Sequence, residues 1–242
     1  MKIRITKNHV DALCVLIGVL GMGSLYFQVL RMPLMAAMLI ASILLLTRAH
    51  HPKISAQNVR LTLLLTAALL LTSFVNPQNG IHINDIVIWL CNIGYVLVLQ
   101  SCIGYRTYMR LYTKVMLAEA AISLISFVIG DLLSLPLPLL HYEVSSVNGF
   151  YLTPYFTLGW LNIPVFHRNA GMFNEPGSHQ IFLNFALLFL MSDETRMGMS
   201  KKKYCWAIAL LIVTILSTLS TTGFICPVSY THLRAHETSQ DL

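Results

Sequence analysis

Seven stretches of sixteen to twenty-one residues, nearly free of charge, set the limits on how this chain can fold: Val10–Leu30, Met32–Thr47, Val59–Val75, Ile83–Ile103, Leu111–Gly130, Pro176–Met191 and Tyr204–Ser220. A helix that crosses a bilayer takes about 20 predominantly apolar residues, with a range of roughly 17 to 25. The second and sixth stretches are the short ones. Pro33 sits in the first turn of the second, where a missing N–H costs little. With 56% hydrophobic and 11% charged residues, the chain lies far from a soluble domain, which carries about 25% charged residues. The expected fold class is an all-α, polytopic transmembrane bundle of about seven spans.

Charge between the stretches orients that bundle. With a cytoplasmic N-terminus, the inner segments hold Lys2, Arg4, Lys7, Arg48, Lys53, Arg60, Arg106, Arg110, Lys114, Arg196, Lys201, Lys202 and Lys203. Setting aside the C-terminal tail, the outer segments hold only Arg31 and Arg168. This asymmetry follows the positive-inside rule. The formal charge of +6 therefore reads as a topology signal and not as a nucleic-acid footprint. No small-residue cleavage site follows the first apolar run, so that run is expected to stay as a helix. The five cysteines (14, 91, 102, 205 and 226) lie in or beside apolar runs and read as small hydrophobes, with no metal or disulfide framework.

The long outer segment, 131–175, carries Tyr142, Phe150, Tyr151, Tyr155, Phe156 and Trp160. These suit an interfacial belt or a platform for sugar rings. Its end is the most chemically charged passage of the chain: Arg168-Asn-Ala-Gly171-Met-Phe-Asn-Glu175-Pro176-Gly177, directly before an apolar helix. Arg168 can grip an anion as a bidentate fork, and the outward N-terminus of the next helix adds partial positive charge; the bland alternative is a snorkelling anchor. Glu175 is either a helix-dipole carboxylate, a general base for an incoming hydroxyl or an ion-pair partner that orients Arg168. His179, one turn on, can relay a proton or act as a polar boundary residue. Asn174 and Ser178 can serve the free N–H groups of the helix entrance. Glu119, inside the fifth stretch, is expected to pair or pack with a neighbouring helix, away from the outer site. Asn92, Gln100 and Asn184 are expected to hydrogen-bond between helices. Leu216 to Gly223 closes the seventh helix with several hydroxyls, Ser220 and Thr222 among them, and a glycine.

Residues Pro227 to Thr238 break from everything before them and resemble one translated frame of a transposon-end sequencing adaptor. Residues 227–242 are therefore expected to be a non-native tail, excluded from functional argument like a fusion scar. The natural protein is then expected to continue beyond residue 226, with 1–226 as the first part of its transmembrane domain.

Arg168, Gly171-Met-Phe173, Glu175-Pro176-Gly177 and the hydroxyl-rich end at 216–223 together resemble the bacterial O-antigen polymerase and ligase family of membrane glycosyltransferases, closer to the polymerase side. The motif covers about the last third of the chain before the tail, and hydropathy alone carries the rest. The resemblance implies a multi-pass protein of the bacterial cytoplasmic (inner) membrane, acting at its outer face in O-antigen, capsule or exopolysaccharide assembly. It implies a polyprenyl-diphosphate-linked oligosaccharide as substrate, with a flippase and a chain-length regulator as partners beside the lipid bilayer. Catalytic roles fall to Glu175 and His179; substrate binding falls to Arg168, Gly171, Gly177, Ser220 and Thr222. No metal and no cofactor are expected. Family members carry a second large outer loop with further basic residues, absent here, so the 242-residue chain is expected to be inactive by itself. The rival readings are a transporter or flippase for lipid-linked glycans and a structural subunit of a polysaccharide export assembly. The absence of an internal repeat and of a midplane site speaks against the transporter.

Overall fold

Each of the seven apolar stretches contains a helix in the structure, a computed structural model that describes residues 7–22, 24, 30–49, 55–75, 83–129, 141–145, 148–151, 157–159, 167–173, 175–192 and 199–220. The helices are α1 (Lys7–Gly21), α2 (Arg31–Arg48), α3 (Ala56–Val75), α4 (Ile83–Cys102), α5 (Tyr105–Phe127), α6 (Pro176–Met191) and α7 (Lys201–Ser217). The chain is thus mostly helical. Among the described residues, α2 is long and apolar enough to cross a membrane, and a second span is counted if the bent pair of α4 and α5 is taken as one. The tail after Ser220, Thr222 and Cys226 included, lies outside the described residues.

Several helix ends differ from those expected. α1 stops at Gly21, nine residues before the apolar run ends. Gly21 suits that end, since glycine lowers helix propensity by about 1 kcal/mol relative to alanine; residues 23 and 25–29 lie outside the described residues. α5 begins at Tyr105, so Arg106 and Arg110 are helical and not loop residues. α7 begins at Lys201, where the Ser200 hydroxyl accepts from the Lys203 N–H at 3.4 Å. That cap draws all three lysines into the first turn.

The chain divides into two compact units at Leu111/Tyr112. In the first, α1, α2 and α4 pack on one another, and α3 lies against α4. Tyr95 donates its buried hydroxyl to the Cys14 carbonyl at 2.7 Å, fixing α4 to α1. Gly18 lets the helices close: a Cβ there would lie 3.2 Å from both Leu99 and Tyr95. The side-chain oxygen of Asn92 is buried without a hydrogen-bond partner, and Gln100 is exposed. The Asn92 oxygen thus makes no interhelical bond among the described residues. Cys14 is buried, whereas Cys91 and Cys205 are exposed, so the cysteines are not uniformly core residues.

In the second unit, each helix turns a stripe of three- and four-residue spacing inward. Met116, Glu119, Ala120, Ser123 and Phe127 form that of α5; His179, Leu183, Ala186 and Leu190 that of α6; Ala207, Leu211, Thr214, Ile215 and Thr218 that of α7. The Tyr112 hydroxyl donates to the Phe182 carbonyl at 3.0 Å, joining α5 to α6. Between α5 and α6 run two antiparallel ribbons: β1 (His141–Ser145) with β2 (Asn148–Tyr151), and β3 (Thr157–Gly159) with β4 (His167–Asn169). The segment expected as an outer loop thus contains paired backbone. In backbone register, Tyr142 pairs with Phe150 in the first ribbon and Leu158 with Arg168 in the second. Tyr155, Phe156 and Trp160 lie outside the described residues.

Candidate functional site

The turn that carries Arg168 sinks into the second unit's core. Asn169, Ala170 and Phe173 are fully buried, and Gly171 and Met172 nearly so. Short or apolar side chains at 170–173 make this affordable, because only the backbone then needs polar partners. It finds them locally: the Asn169 side-chain oxygen accepts from the Gly171 N–H at 2.9 Å, and the Phe173 N–H donates to the Ala170 carbonyl at 3.0 Å. Gly171 takes a left-handed φ of 56°.

Three helices hold this turn. From α6, the His179 imidazole is wholly buried and stacks on Phe173, with ring centroids 5.4 Å apart. Its Nδ1 lies 3.3 Å from the Asn169 carbonyl, and its Nε2 lies 2.9 Å from Glu119 Oε2 on α5. From α7, the Ser217 hydroxyl accepts from the Asn169 amide at 3.0 Å. Arg168 reaches the same helix end: its Nε donates to the Thr218 carbonyl at 3.2 Å and an Nη2 hydrogen to the Leu219 carbonyl at 3.0 Å. One orphan carbonyl of the α7 terminus, that of the C-cap Thr218, is thereby satisfied by a cation, which also complements the helix dipole.

The Asn169 carbonyl can only accept, so the hydrogen of that contact belongs to Nδ1. Glu119 and His179 give each other a polar partner in an apolar core, where either alone would be costly. The second oxygen, Glu119 Oε1, is buried with no hydrogen-bond partner. It lies where a Cβ on Gly171 would be; that Cβ would also come within 2.7 and 2.9 Å of the His179 ring. Glycine is thus required twice over, for conformation and for space.

This corrects the expected place of Glu119. Its depth in the fifth stretch sets it apart from the outer site when only the sequence is considered. It is instead in contact with the site, because the Arg168 turn descends to it. The signals that could have found it were the stripe on α5, which Glu119 shares with Met116, Ala120 and Ser123, and the lack of polar side chains at 170–173. His179, taken as catalytic, faces inward to α5 with both ring nitrogens occupied.

The other expected residues gather at the rim. Glu175 is the N-cap of α6, with extended backbone (φ −150°, ψ 153°), exposed and without a side-chain cap bond. Pro176 takes the first helical position, where no N–H is needed. Ser178 donates to Glu175 Oε1 at 3.2 Å in place of the helix-entrance role expected of it. Arg168 turns to α7 while Glu175 turns to Ser178, so the two form no ion pair among the described residues. Gly177 lies beside Ser220, whose hydroxyl would be 3.8 Å from a Cβ built there. Thr222 and Asn174 lie outside the described residues. No group of three or more metal-ligating side chains occurs among the described residues.

Leu219 is the strained member of the site, a bulky residue held at φ 47°. The left-handed region costs an L-residue about 1–2 kcal/mol, offset here by the Arg168 hydrogen bond to its carbonyl. Leu219 is half exposed, so its side chain contributes little burial. Leu219→Gly is accordingly expected to raise stability by about 1 kcal/mol, read as a higher midpoint of thermal unfolding in detergent.

Compared with protein-family models, curated proteins and solved structures, the chain matches none.

Proposed function

We propose that the Arg168 turn binds the diphosphate of a polyprenyl-linked oligosaccharide, and that the protein takes part in polymerising or transferring such repeats at the outer face of the bacterial inner membrane, as the resemblance to O-antigen polymerases and ligases implies. The observation that carries this reading is the state of the Arg168 guanidinium. Its Nε–Nη2 edge is anchored on α7, which fixes its plane. Three of its five N–H groups have no partner among the described residues, and the Nη1–Nη2 end is the one left for an anion. An immobilised fork at a half-buried position loses less entropy on binding than a free side chain. It also stabilises the charge that develops on a departing diphosphate.

Around it, the α6 N-terminus supplies partial positive charge, and Glu175 stands exposed as base or orienting group for an acceptor hydroxyl. The seven-span arrangement is part of the same proposal. Support comes from α3, where Leu61, Leu63, Leu64, Leu65, Leu70 and Leu71 are all exposed. Adjacent residues point in different directions around a helix, so these leucines cover most of its circumference, and the Thr62 and Thr66 hydroxyls on the remaining side bond back to the helix's own carbonyls, as suits contact with lipid.

The test is Arg168→Ala in cells whose surface polysaccharide depends on this protein, scored on a polysaccharide ladder. Loss of one bidentate anion contact is expected to cut chain extension by ~100-fold, collapsing the ladder to its lowest rungs. An unchanged ladder refutes the assignment and favours a structural subunit. Accumulation of unextended repeats on the inner face favours a transporter.

A further inference from the structure

Glu119 lies nine helical positions into the apolar stretch where a lone carboxylate is costly, and nothing in the proposed transfer chemistry uses it. Its connections lead to Arg168. Oε2 meets His179 Nε2 at 2.9 Å; His179 Nδ1 meets the carbonyl of Asn169 at 3.3 Å; Asn169 is the residue next to Arg168. Oε1 packs against Gly171, the pivot of the same turn. The Asn169 side chain ties the turn to Ser217, one residue before the carbonyls that Arg168 caps. One hydrogen-bonded chain therefore runs from α5 through α6 to the turn and ends on α7.

We propose that Glu119 is a positioning residue for Arg168: through His179 it fixes the height and tilt of the 168–171 turn, and so the direction in which the guanidinium presents its free end to an anion. The physical need is plain. A turn with a left-handed glycine and no side-chain bulk of its own has little to hold it. A two-point contact to a stacked imidazole supplies that rigidity, and preorganised donors bind charge more strongly than mobile ones. The anion-binding half of this inference rests on the proposed function; the positioning half does not.

The experiment uses the full 242-residue chain in detergent, with arginine 15N-labelled and inorganic diphosphate as the probe. Two quantities are read: diphosphate affinity, and hydrogen exchange at the Arg168 Nε–H that donates to Thr218. Glu119→Ala removes the link. Glu119→Asp keeps a carboxylate but withdraws it by about 1.5 Å. Glu119→Gln keeps the length and can still donate to His179 Nε2. The Ala and Asp variants are expected to weaken diphosphate binding by ~10-fold and to speed Nε–H exchange, while Gln stays within about twofold of wild type on the same affinity scale.

Folded Ala or Asp variants with wild-type affinity and exchange overturn the proposal. So does loss of fold in both, since Glu119 then holds the core and not the turn. A Gln variant that unfolds or loses the Arg168 signal overturns it too. Should the wild type, or Arg168→Ala against it, show no Arg168-dependent diphosphate binding, the reading of Arg168 as an anion site fails; the exchange measurement still decides the positioning of the turn.

Discussion

Gly171→Ala is expected to be among the most damaging single substitutions in the second unit, although it adds one methyl group. The backbone at 171 is left-handed, with φ 56°, which costs an alanine about 1–2 kcal/mol. The new Cβ would overlap Glu119 Oε1 and press on the His179 ring at 2.7 Å. Relief cannot come from a flexible chain end. The carboxylate is tied to the imidazole, the imidazole is stacked on Phe173, and both ring and phenyl are fully buried. Overpacking of such a site costs about 1–3 kcal/mol more. The two terms add, because one concerns the backbone and the other the space beyond it. The expected outcome is a markedly lower midpoint of thermal unfolding in detergent, together with loss of whatever anion affinity Arg168 provides. Wild-type stability in Gly171→Ala would show that the turn does not rest against Glu119.

His179→Leu is expected to be comparably severe for an electrostatic reason. It leaves Glu119, 3% exposed, with neither oxygen paired, and removing one partner of a buried pair costs about 3–5 kcal/mol. The informative comparison is His179→Leu combined with Glu119→Met. Replacing both members by apolar groups of similar volume is often neutral or stabilising. The double variant should therefore be more stable than His179→Leu alone, with a coupling energy of about 1–3 kcal/mol in a double-mutant cycle. It should nevertheless fail to restore anion binding, because the link to the Asn169 carbonyl is gone. Strict additivity would break the argument that the two residues act as a unit.

The two variants together separate support of the turn from support of the core. Gly171→Ala distorts the turn while both polar partners remain present. The double variant removes the polar link while leaving the backbone of the turn unstrained. If the geometry of Arg168 is what matters to binding, both should weaken it, although only the first should be severely unstable.

What the sequence determined by itself was local. Apolar runs of the right length became helices, Pro176 opened α6 as the missing N–H requires, and Ser200 set the start of α7 as a cap. The passage from Arg168 to Gly177 was recognisable as a site because glycine, proline and opposite charges stood together. Helix propensity, capping and apolar run length act within a few residues, so they can be read along the chain. Only the tertiary structure decided which partners those residues meet. Arg168 faces carbonyls fifty residues away and not Glu175, and Glu119 joins His179 across sixty residues. Depth along a helix suggested the opposite for Glu119, because it gives no measure of how far a loop can descend beside that helix. The turn descends because residues 170–173 bring no polar side chain that would have to stay in water, and a buried carboxylate and imidazole are each costly until they meet.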